Sequence, residues 1–75
     1  MGVLQRLDPK LGDLKLIWDP ENEDEVELAQ KQFDEAKEKG FLAFKVKKDG
    51  ETGKQIKKFD PDAEKIIMTP PIAGG

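Results

Sequence analysis

Apolar residues recur along this chain at two spacings, and the spacings divide it into strands and one helix. Leu14, Leu16 and Trp18 alternate with Lys15 and Ile17, which predicts a strand over 14–18 with those three on one face. Val26, Ala29, Phe33 and Ala36 then recur every three or four residues, the single stripe of an amphipathic helix running to about Lys39. Asn22 with Glu25 three residues later predicts its N-cap. Glu21, Glu23 and Asp24 set negative charge at the positive end of the helix, and Gly40 is the expected left-handed stop.

Beyond Gly40 the alternation returns. Phe41 to Lys47 predicts a strand with Leu42, Phe44 and Val46 inward and Ala43, Lys45 and Lys47 outward. Asp49-Gly50, reinforced by Gly53, predicts a turn and a return through Lys54 to Phe59. That strand has only Ile56 and Phe59 to bury, as expected of a short edge strand guarded by lysines. After a turn at 60–63, Glu64 to Thr69 predicts a last strand. Its consecutive apolar residues place it centrally, covered on both faces, until Pro70-Pro71 end the pairing. Residues 1–13 are either a strand near Val3–Leu7 followed by a turn, or a loose arm.

One helix must cover one face of a mixed sheet for a core to close. The expected fold is α+β, a ubiquitin-like β-grasp with a four- or five-stranded sheet packed on one α-helix. A ferredoxin-like arrangement needs a second helix, and no second helical stretch is present. The expected division is residues 1–13 as strand or arm, 14–73 as the domain and 74–75 as a Gly-Gly tail.

Composition removes much chemistry. The 75 residues include no cysteine and no histidine. Disulfides, thiolate and imidazole metal ligands, a Cys nucleophile and the usual general base are therefore absent. A chain this short buries only about 60% of its unfolded surface, so packing and local propensity must hold it alone. No apolar run approaches the ~20 residues of a membrane helix, and residues 1–6 match neither a signal peptide nor a myristoylation site. The expectation is a cytoplasmic monomer with no membrane partner.

Charge is unevenly spread. Residues 1–40 hold 6 Lys/Arg against 11 Asp/Glu, whereas residues 41–75 hold 7 against 5. Such a dipolar surface suits protein partners. Lysines 45, 47, 48, 54, 57 and 58 have no stacking aromatics interleaved with them, so no nucleic-acid partner is expected. The acidic run Glu21–Glu27 lacks the spacing and central glycine of a calcium loop and is accounted for by helix capping.

The run Ile66-Ile67-Met68-Thr69-Pro70-Pro71-Ile72-Ala73-Gly74-Gly75 resembles the ending of the small sulfur-carrier subunit of molybdopterin synthase. Thiamine-pathway sulfur carriers and ubiquitin-like modifiers share the closing Gly-Gly. The resemblance implies a carrier that is not itself an enzyme and needs no cofactor. Gly75 would be activated with ATP by an E1-like partner enzyme, for sulfur transfer or for conjugation to an acceptor protein. Gly74 would let the tail thread a narrow channel, and Pro70, Pro71, Ile72 and Ala73 would present it. The alternative is a non-conjugated β-grasp interaction module. It would bind a protein through its sheet face or edge, with Lys57, Lys58 and Phe41 as candidate partner residues.

Overall fold

A computed structural model describes residues 1–10, 12–47 and 53–71. Five strands and one helix follow in the order β1 (Gly2–Arg6), β2 (Leu14–Trp18), α1 (Glu23–Glu38), β3 (Leu42–Val46), β4 (Lys54–Ile56) and β5 (Lys65–Thr69). The strands form one sheet in the order β2-β1-β5-β3-β4. β1 pairs antiparallel with β2 and parallel with β5, while β3 pairs antiparallel with both β4 and β5. This is an α+β domain with a mixed five-stranded sheet and one covering helix, consistent with a β-grasp-like arrangement. The expected turn at Asp49-Gly50 lies outside the described residues, as do Ile72, Ala73, Gly74 and Gly75.

The helix begins and ends as its sequence dictates. Asn22 is extended at φ −98°, and its side-chain oxygen accepts the amides of Asp24 and Glu25 at 3.1 and 3.2 Å. Glu25 does not complete a reciprocal capping box, because the Asn22 amide donates to the Asp19 carbonyl. The Glu25 carboxylate instead accepts from the Asp19 amide at 2.9 Å and from the Asn22 side-chain amide at 3.2 Å. At the other end Gly40 has φ +94°. Phe41 N–H donates to Ala36 and Gly40 N–H to Lys37, the paired bonds of a Schellman stop.

Strand register sorts side chains onto two faces. Leu4 aligns with Leu16, Ile66 and, through β5, Lys45, while Arg6 aligns with Leu14, Met68 and, beyond them, Ala43 and Ile56. Leu4, Trp18, Ala43, Ile66 and Met68 from this face are buried together with Ala29, Phe33 and Ala36 of the helix. Leu16, Val26, Ile56 and Phe59 pack around them. Trp18 and Phe59 meet at a ring-centroid distance of 5.1 Å, and Phe33 reaches Phe59 edge-on at 5.8 Å.

Two expectations fail here. On β3 it is Ala43 that enters the core, and Leu42, Phe44 and Val46 lie half-buried on the opposite face. Alternation fixes that the two sets face opposite ways but not which set meets the helix. Phe41, two residues before Ala43, is likewise buried in the core, directly after the Gly40 stop. β5 is central as expected, between β1 and β3, but it is not covered twice. Ile66 and Met68 are buried, whereas Lys65, Ile67 and Thr69 are only half-buried beside their in-plane neighbours.

Candidate functional site

The strand that leads to the Gly-Gly sequence leaves the sheet at a defined place. Leu42 aligns with Thr69, the last pair of β3 and β5. Leu7 N–H donates to the Met68 carbonyl at 2.9 Å, prolonging the contact with the β1 segment. Pro70 and Pro71 have no N–H to continue either ladder. Pro70 is half-buried and Pro71 exposed. They border an open cleft of about 520 Å³ with Asp8, Pro9, Lys10, Lys39 and Phe41. Its walls are two chain reversals. On one side the Lys10 amide donates to the Asp8 carboxylate at 2.8 Å, and Gly12, at φ +87°, returns its amide to the Asp8 carbonyl. On the other side stands the helix stop, where a Cβ on Gly40 would sit 3.4 Å from Pro71.

The other sequence-derived candidates are scattered. Lys57 and Lys58 are exposed at the bend after β4, across the sheet from β1. Phe41 is only 6% exposed and belongs to the core, so its ring is not displayed as a partner anchor. Gly74, Gly75, Ile72 and Ala73 fall outside the described residues.

The acidic segment before the helix serves the backbone. The carboxylates of Asp19 and Glu25 and the side chain of Asn22 accept main-chain amides. Among the described residues no group of three or more His, Cys, Asp or Glu side chains is arranged to hold a metal ion. No described helix is long and apolar enough to cross a membrane.

One carboxylate departs from its ordinary range. Asp60 accepts a hydrogen bond from Lys45 Nζ at 3.0 Å and another from the Asp62 amide at 2.9 Å. These bonds, the one from Lys45 foremost, hold its pKa below the usual 3.8 against the opposing effect of burial, and the Lys45 charge adds a lesser pull. The Ala63 amide closes the same turn on the Asp60 carbonyl. The pair therefore ties β3 to the turn preceding β5 and has a structural role.

A second surface is the sheet face expected of an interaction module. On the sheet face away from the helix, Ile17, Val3, Lys65 and Val46 form one row across four strands. Lys15, Gln5, Ile67, Phe44 and Gln55 form the next, and Thr69 and Leu42 a third. Six of these eleven side chains are apolar, two are lysines and none is a carboxylate. Ile17 is 50% exposed. In the sequence Ile17 already stands opposite the Leu14, Leu16 and Trp18 face, and Ile67 opposite Ile66 and Met68 in a strand expected to be covered twice.

Comparisons with protein-family models, with curated proteins and with solved structures return no match.

Proposed function

We propose that this chain is a ubiquitin-like carrier or modifier of β-grasp fold, activated at the Gly75 carboxylate by a separate ATP-dependent enzyme. The observation that carries the proposal is the path of β5. A central strand, parallel to β1 and anchored on both sides, runs out through Pro70-Pro71 into the sequence Ile72-Ala73-Gly74-Gly75. In the chemistry proposed, the Gly75 carboxylate attacks the α-phosphorus of ATP and pyrophosphate leaves. A sulfur donor or an amine then attacks the acyl carbon and displaces AMP. No side chain of this domain takes part. The domain supplies a rigid body for the enzyme to grip and two prolines that stiffen the approach to the glycines.

Carrier chemistry requires a free carboxylate on Gly75, and the intact mass of protein isolated from its source cells measures this directly. The decisive experiment supplies ATP to an extract of those cells containing N-terminally tagged protein, beside a variant lacking Gly74 and Gly75. A thiocarboxylate product identifies a sulfur carrier, and heavier bands that vanish in the shortened variant identify a modifier. Neither product, in an extract where another modifier is conjugated, refutes the proposal.

A second function is favoured by a different observation, the six apolar side chains on the helix-free sheet face. It is a non-conjugated interaction module that binds a protein through that face and ignores the tail. Binding that survives removal of Gly74-Gly75 separates it from carrier chemistry.

A further inference from the structure

The two edges of the sheet are built differently. β4 is three residues long, with Lys54 and Gln55 exposed on it and Lys57 and Lys58 exposed at the bend behind it. Shortness and lysines are devices that keep an edge from pairing with another chain. β2, the other edge, is less guarded. Its five residues pair with β1 in unbroken register, include no proline and carry one lysine. Which of its main-chain groups face outward follows from β1. Val3 N–H donates to the Glu64 carbonyl and Leu7 N–H to the Met68 carbonyl, so Val3, Gln5 and Leu7 turn their main-chain groups toward β5. Gly2, Leu4 and Arg6 therefore turn theirs toward β2, where their partners are Trp18, Leu16 and Leu14. Lys15 and Ile17 are left with N–H and C=O directed away from the sheet. Beyond Trp18 the edge is closed, because the Asp19 amide donates to the Glu25 carboxylate and the Asp19 carbonyl accepts from the Asn22 amide.

From this edge we infer that β2 pairs antiparallel with β2 of a second copy of the chain, about a two-fold axis at Leu16. The inference goes beyond both functions proposed above and depends on neither. Register decides the pairing. Lys15 opposite Lys15 would set like charges face to face. Ile17 opposite Ile17 would bring Lys15 against Asp19, whose amide and carbonyl are already engaged. Lys15 opposite Ile17 uses both outward residues of each copy, and every such pair exchanges two main-chain hydrogen bonds. It also makes the second copy's Asp19 carboxylate the diagonal neighbour of Lys15, within reach of a long side chain. The edge is thus its own complement under a two-fold, the symmetry most homodimers adopt. On the helix side, half-buried Leu14 and Leu16 gain cover from the second β2. Leu28, 49% exposed, lies one helical turn after Glu25, whose carboxylate reaches the end of β2, and so stands over the same edge. The monomer expected from the sequence then describes the dilute chain. A five-residue edge contact belongs with interfaces below about 1,200 Å² in total, which hold weakly.

The test follows the full chain, labelled with ¹⁵N, from dilute to near-millimolar concentration by sedimentation and by amide hydrogen exchange. The expected result is a dimer that grows with concentration while the Lys15 and Ile17 amides gain protection. The amides of Leu14, Leu16 and Trp18, bonded to β1, should be protected at every concentration. Two substitutions at the exposed Ile17 fix the register without touching the core. Ile17→Glu sets a carboxylate opposite Lys15 twice across the axis and should tighten the dimer by about fivefold to tenfold at low salt. Ile17→Lys should weaken it by about as much, and adding Lys15→Glu to Ile17→Lys should restore it. Association through the apolar helix-free face would be weakened by Ile17→Glu as well as by Ile17→Lys, so equal weakening overturns the inference. A chain that stays monomeric throughout overturns it, as does a dimer that leaves the Lys15 and Ile17 amides unprotected. A synthetic peptide of residues 13–19 supplies the remaining arm. Its binding to a chain that does not self-associate would make the edge a receptor for a foreign strand, and the second copy would be excluded.

Discussion

The indole of Trp18 occupies the space where a side chain on Gly2 would stand. The two residues are register partners across β1 and β2, and a Cβ built on Gly2 would overlap the six-membered ring of the indole. That close approach lets the ring lie buried over the sheet while its Nε1–H donates to the Pro61 carbonyl at 3.0 Å. Gly2→Ala should destabilise the domain by about 1–3 kcal/mol, the usual cost of overpacking, despite the better strand propensity of alanine. Urea unfolding of Gly2→Ala in the native and Trp18→Leu backgrounds checks the cause. The penalty should largely vanish when the indole is gone, and equal penalties in both backgrounds would show that the overlap is not its source.

How far the sequence could be read follows from which contacts are local. The helix carries its own signals, so Asn22, the Val26–Ala36 stripe and Gly40 placed it to within a residue. The shared face of Leu14, Leu16 and Trp18 was equally legible, because period-2 alternation is a property of one strand. Which face of β3 meets the helix depends on the β3–β5 register and on where Phe33 lands, and neither is local to β3. In sequence Ala43 reads as outward, because alanine is a weak hydrophobic signal beside Leu42 and Phe44. A small residue is what a position pressed beneath the helix layer accepts. The candidate tail residues were legible only as a motif, whereas the apolar sheet face emerges once five strands are aligned.

Asp60 links stability to pH. Its folded-state pKa is depressed, so the stabilisation is present above the unfolded carboxylate value and is lost as pH falls through the folded one. The bridge to Lys45 is partly solvated and contributes no more than about 1 kcal/mol. Asp60→Asn should therefore be less stable than the native chain by up to that amount at pH 7, with the gap closing below the usual 3.8. Urea midpoints at neutral and acid pH test this, and a gap that persists at full protonation would assign the loss to the turn bond from Asp62 instead.

Helix initiation rests on Asn22 more than on Glu25. The Asn22 side-chain oxygen satisfies two otherwise unpaired helix amides, whereas Glu25 secures the Asp19 amide ahead of the cap. Asn22→Ala should cost about 0.5–2 kcal/mol, and Asn22→Asp should retain most of the stability. Glu25→Gln keeps the shape and an acceptor for the Asp19 amide, gives up only the exposed bond from the Asn22 side-chain amide, and should cost less than Asn22→Ala. Thermal melts of the three variants rank them, and an Asn22→Ala melt indistinguishable from native would remove the cap from the account of helix initiation.

The assignment of β3 faces makes opposite predictions for neighbouring residues. Ala43 is fully buried between Met68 and Ile56 in the sheet and beneath the helix layer, so Ala43→Leu should overpack the core and cost about 1–3 kcal/mol. Leu42 lies on the helix-free face, and Leu42→Thr places a strand-favouring β-branched residue there at a cost below about 1 kcal/mol. Phe33→Ala sets the scale. Removing a fully buried ring costs about 3–5 kcal/mol, a large share of the roughly 4–11 kcal/mol expected for a domain of 75 residues. If Leu42→Thr proves as damaging as Phe33→Ala while Ala43→Leu is neutral, Leu42, Phe44 and Val46 are the inward set. The apolar helix-free face would then lose the three side chains that β3 contributes to it.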